Sequence, residues 1–215
     1  MRAARASRCR SLAVALLCLL PVACAPDYGA VRDWSATARE AVLPPAGTRP
    51  PTAPAIGAPR PGPIDATGQE GAVLAARDAA AAWLGLLAWV AEDGWPPSRD
   101  NLLGPHAAAL RPFDAEGAEA VQQLGEVMAF GARRNGRAPQ LRIAVARGDA
   151  PFRAVLAALG RLLPPDSPAQ ATLTHIAEGH ALLLEREARL AAPETARLLR
   201  LQESELRRLM LLPGG

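Results

Sequence analysis

Lysine is absent from this chain of 215 residues: all 24 basic side chains are arginine. With alanine, glycine and proline abundant, that reads as a coding bias toward GC-rich codons rather than a phosphate-binding signature, although arginine suits such a role. Cysteine is scarce, at three residues, and two of them (Cys9 and Cys18) lie near the start. If the start is removed, only Cys24 remains. That excludes an intramolecular disulfide and a cysteine metal cluster. Aromatics are few, eight in all, so stacking platforms for single-stranded nucleic acid are unsupported. Long apolar runs are also missing. Leu12–Leu20 falls short of the roughly 20 residues a membrane span needs. Gly-x-Ser-x-Gly, phosphate-loop and dinucleotide patterns do not occur. Ser35, Ser98, Ser167 and Ser204 therefore have no nucleophile context.

What is present begins with an address. Arg2, Arg5, Arg8 and Arg10 form a basic head, Leu12–Leu20 is apolar, and Pro21, Val22, Ala23 and Cys24 follow. A basic region, a short apolar region and a small residue before the cut make a secretory signal peptide, residues 1–23. Cutting after Ala25 puts Pro26 in the protease site, where its missing N–H and fixed φ fit badly. "PVAC" resembles the lipobox of bacterial lipoproteins, with Pro21 where that family usually has leucine. The resemblance covers residues 1–24 and implies a thioether-linked diacylglyceryl on Cys24, a covalent lipid and the one cofactor-like group expected. Two chains anchor stably. Ala25 after the cysteine implies, by the same resemblance, the outer membrane over the inner one and a domain facing the periplasm. Loss of the four leader arginines leaves 20 basic against 21 acidic residues, net −1, so the basic balance of +3 is no argument for a nucleic-acid partner.

The remaining chain predicts an all-α protein, a compact bundle of five to six helices after a Pro-rich linker. Residues 24–43 hold the acylated cysteine and a short leader helix, with Asp27 as cap and Tyr28, Val31, Trp34, Ala38 and Val42 at helical spacing. Residues 44–64 are the linker. Eight of the twenty residues from 44 to 63 are proline, which predicts an extended tether reaching about 60 Å. The bundle domain spans 65–215. Thr67 and Glu70 form a capping box before a helix over 68–92. That helix is apolar on nearly all sides through Trp83, Leu86, Leu87, Trp89 and Val90, so it belongs at the centre of the bundle. A short helix follows over 105–110, then one over 115–134 capped by Asp114. Residues 139–147 fit either period; without a partner strand they read as helix. Asp149 caps another helix. Ser167 and Gln170 box the next, which runs to about Ala191. A last helix, broken from it by Pro193, ends near Leu212.

Candidate chemistry centres on "HIAEGH". His175 and Glu178 share a helical face, while His180 lies about 140° round. Two zinc-binding histidines on one helix need positions four apart, so this is no such motif. His175, Glu178 and His106 are the metal candidates, but no metal and no catalytic residue are predicted. His180 falls on the apolar stripe of Leu173, Ile176 and Leu184 as a core histidine. Glu92 and Asp93 beside Trp95 read as a solvated helix end. Trp34 and Trp95 are candidate exposed anchors for a partner. The C-terminal stripe of Leu199, Leu206 and Met210 either completes the core or meets another protein. The expected function is a lipid-anchored, non-enzymatic scaffold or protein-interaction module. Its partners would be the membrane, through the lipid, and a protein, through the C-terminal helix. The competing reading is a small-ligand binder or metal-dependent enzyme with a site assembled between helices around the histidines.

Overall fold

A computed structural model describes residues 27–43, 68–92, 100–131, 138–165 and 167–211. The signal peptide, Cys24, the Pro-rich segment, Thr67 and Trp95 lie outside them. The described chain is all-helical: α1 (Gly29–Val42), α2 (Gln69–Glu92), α3 (Gly104–Leu110), α4 (Ala115–Gly131), α5 (Ala138–Leu162), α6 (Pro168–Glu185) and α7 (Pro193–Met210), with a single 3₁₀ turn at Glu187–Arg189. α2 is central, packed on α1, α5, α3 and α4. α7 closes against α1 and α6, and α5 also meets α4 and α6. α2 is long and apolar enough to cross a membrane, but most of that apolar stretch is buried in the bundle. Ala72, Ala76, Ala79, Ala80, Trp83, Leu84 and Leu87 are fully covered. The run of alanines lets neighbouring helices approach on several sides.

α1 is not a leader outside the domain. Its stripe of Val31, Trp34, Ala38 and Val42 is sealed in the common core. The Asp27 carboxylate accepts the Gly29 N–H at 2.8 Å and starts the helix. α1 runs antiparallel to α2: Arg32 reaches Glu92 at 3.5 Å, and seven residues on, the Arg39 side chain lies against Gly85. Val42 then falls beside about position 82. The start of α2 is some 13 residues further along, roughly 20 Å at 1.5 Å per residue. The Pro-rich segment therefore joins two helices of one bundle. Its own path lies outside the described residues.

Three further expectations change. Residues 139–147 are helical, but α5 runs unbroken from Ala138 to Leu162 through Pro151. Asp149 is thus an interior residue rather than a cap, because its carboxylate is taken by a tertiary contact. Ser167 makes no side-chain cap; Gln170 instead donates across to the Gly160 carbonyl at 2.7 Å. The helix before Pro193 ends at Glu185. Asp114 caps as expected, accepting the Gly117 N–H at 2.7 Å.

Two glycines set the closest approaches. A Cβ on Gly148 would overlap the Trp83 ring, and one on Gly179 would overlap the Trp34 ring. Both rings are fully buried and have nowhere to go. Gly179→Ala is expected to cost about 1–3 kcal/mol through overpacking, read as a lower urea midpoint. Gly104→Ala, whose added methyl meets nothing within 4 Å, is the control and should lose little. Equal midpoints for the two variants would mean that α6 does not press on Trp34.

Candidate functional site

The most elaborate polar arrangement lies inside the bundle. α6 turns Leu173, Ile176, His180 and Leu183 inward. The His180 ring is fully buried. Its Nε2 accepts the indole N–H of Trp83 at 3.2 Å, and its Nδ1 lies 3.1 Å from Asp149 Oδ1. Only one neutral tautomer satisfies both contacts: Nδ1 carries the proton and donates to the carboxylate, leaving Nε2 as acceptor. Phe152 packs on the imidazole, ring centres 4.7 Å apart. Arg153, one turn beyond Asp149 on α5, reaches its other oxygen at 2.5 Å from a side chain that is 57% exposed. The result is a line from the surface inward: Arg153, Asp149, His180, Trp83.

Charge follows from this geometry. Burial pushes the His180 imidazole below its ordinary range, against the opposing pull of Asp149. The hydrogen bond from His180 holds the Asp149 carboxyl below its own, against the cost of burial and with help from Arg153. The consistent state is a neutral histidine beside an ionised aspartate paired to an exposed arginine. A histidine oriented by a carboxylate is also how general bases are held. Here, however, Nε2 is already occupied by the indole N–H, and no face of the ring reaches solvent. The arrangement as it stands ties α2, α5 and α6 together, and buried groups satisfied in this way fix relative helix positions.

The other histidines have separate surroundings. His175 pairs with Glu178 at 3.2 Å, as their spacing predicted; its Nε2 donates to the Gln202 carbonyl of α7 at 3.1 Å. It is a link between α6 and α7. His106 on α3 lies 4.0 Å from Asp78 of α2, with Nδ1 buried and unpartnered. Burial lowers its pKa, and Asp78 opposes. Among the described residues, no three histidine, cysteine or acidic side chains gather as a metal would need. His106 is thus not brought to the His175–Glu178 pair.

Trp34 is no exposed anchor: it is fully buried against Gly179, its Nε1 without a partner. Leu199 and Leu206 are also fully buried, so this stripe completes the protein's own core against α1 and α6. Met210, on the same helix, is 37% exposed. Sequence reasoning missed Asp149 and Arg153. Their i,i+4 spacing was a visible signal, overridden by reading Asp149 as a cap. No family model matches the chain, and neither does any curated protein or solved structure.

Proposed function

We propose that this is a lipid-anchored protein of the bacterial cell envelope, acylated on Cys24, whose helical bundle serves as a binding module in the periplasm. The observation that carries the reading is the place of Cys24. It follows a basic head and an apolar segment, within "PVAC", and stands three residues ahead of Asp27, where the described fold begins. Ala25 favours the outer membrane by the same resemblance. The module reading rests on how the interior polar groups are used. His180 and Asp149 hold helices together, and His175 joins α6 to α7. With Leu199 and Leu206 spent on the core, a protein contact of α7 falls to its outward face, where Leu201 is 58% exposed among Arg197, Arg200 and Arg208.

Cys24→Ala tests the anchor. The substituted protein is expected to leave the membrane fraction or to accumulate unprocessed. Intact-mass analysis of the wild-type protein should show a mature chain beginning at Cys24 with added diacylglyceryl mass. A mature chain beginning at Pro26 without lipid would overturn the reading.

A further inference from the structure

The covalent distance from the lipid to the described fold is short, and the first described helix is locked. Only Ala25 and Pro26 separate Cys24 from Asp27, whose carboxylate accepts the Gly29 N–H at the start of α1. Three Cα–Cα steps span at most about 11 Å. α1 cannot act as a spacer, because Val31 and Trp34 are fully buried in the bundle core within two turns of its start. The Pro-rich segment cannot act as one either, since it lies beyond α1. We propose that the lipid on Cys24 holds the bundle directly against the membrane, with the end formed by the start of α1 and the end of α2 facing the lipid headgroups. This rests on the acylation of Cys24 proposed above and adds the geometry of attachment.

The facing end is defined by the pairing of Arg32 with Glu92 at 3.5 Å. Arg32 also pairs with Asp33 at 2.9 Å, so the described side chains at this end set one arginine against two carboxylates. The anchor's length, not surface charge, sets the orientation. α2 then stands away from the bilayer. Its 24 residues measure about 36 Å. Its far end, where Gln69 donates to the Leu162 carbonyl at 3.1 Å, lies on the side away from the membrane.

Single-cysteine labelling tests this, because the acylated chain offers no free thiol of its own. The full chain is matured in cells as Glu92→Cys or Gln69→Cys, labelled with a fluorophore, and reconstituted into neutral phosphatidylcholine vesicles carrying a headgroup quencher. Intact mass establishes the lipid on Cys24 beforehand. The expected result is at least twofold stronger quenching at position 92 than at 69. Inserting twenty Gly/Ser residues after Ala25, an added reach of about 25 Å, should remove the difference. Equal, weak quenching at both positions with the lipid present would overturn the geometry while leaving the anchor standing. Stronger quenching at 69 would do the same. A chain without lipid mass would remove both readings. Circular dichroism of each labelled protein confirms that the bundle is intact; neither position is buried.

Discussion

Trp83→Ala is expected to lower the stability of the bundle by about 3–5 kcal/mol for the lost ring and its cavity. A further loss, about 1–3 kcal/mol, comes from leaving His180 Nε2 buried without its donor. Trp83 is fully buried on the central helix. It packs against Phe152, is pressed by Gly148 and donates to His180. Against a typical total of about 5–15 kcal/mol, the variant stands near the edge of unfolding. For a chain of this size the first part alone shifts the melting temperature by about 6–20 °C. Phenylalanine separates the two contributions. Trp83→Phe restores most of the volume but not the N–H, so it should retain a penalty of about 1–3 kcal/mol. Trp34→Phe is the matched comparison, because Trp34 is equally buried but its Nε1 has no partner to lose. Its cost should be smaller. Equal costs for the two phenylalanine variants would show that the Trp83–His180 hydrogen bond contributes nothing net. An unchanged midpoint in Trp83→Ala would mean that α2 is not central.

The centrality of α2 was legible from the chain because it depends on pattern alone: a helix apolar on all sides must be covered on all sides. α1 was legible as a helix for the same reason, since Val31, Trp34, Ala38 and Val42 recur at its period. Where it docks was not, because periodicity says which face is buried and nothing about what buries it. The Pro-rich segment after it suggested a boundary, yet a connection of that length can leave a bundle and return to it at small entropic cost. Asp149 shows a different limit. An aspartate after Gly148 and before Pro151 has the local chemistry of a helix cap, and in isolation that chemistry would win. In the fold its carboxylate bonds His180, 31 residues away. Gln170 follows the same logic: its spacing from Ser167 fits a capping box, but the Gly160 carbonyl lies within reach. In both cases the local signal admits more than one partner, and the tertiary one prevails.

Acidification is expected to destabilise the protein in two stages, the first set by histidine. His180 and His106 are both held neutral in the folded state, below the ordinary imidazole value of 6.5 and chiefly by burial. Well above pH 6.5 these two imidazoles are neutral whether the chain is folded or not, and their contribution is complete. Below it the unfolded chain takes up protons that the folded one refuses, so stability falls with pH until the folded-state pKa is passed. The slope is at most about 1.4 kcal/mol per pH unit for each histidine. Between pH 6.5 and 5.0 the pair can therefore remove up to about 4 kcal/mol. Asp149 supplies the second stage. Its carboxyl is held below the ordinary 3.8, first by the His180 hydrogen bond, so its contribution is present above that value and is lost as the pH falls further. The charged groups facing His180 act together. Asp149 favours the imidazolium and Arg153 disfavours it, while Trp83 contributes a donor that a protonated Nε2 could no longer accept. Urea midpoints at pH 7.5 and 5.0 measure the first stage. His180→Gln keeps a donor and an acceptor but cannot titrate, and it should remove its share of the pH dependence even where its stability at pH 7.5 is lower. His106→Gln should remove the other share. A wild-type midpoint as high at pH 5.0 as at 7.5 would mean that the folded bundle admits the proton, and that the His180 ring is neither sealed from water nor held by the Trp83 indole in the way the geometry requires.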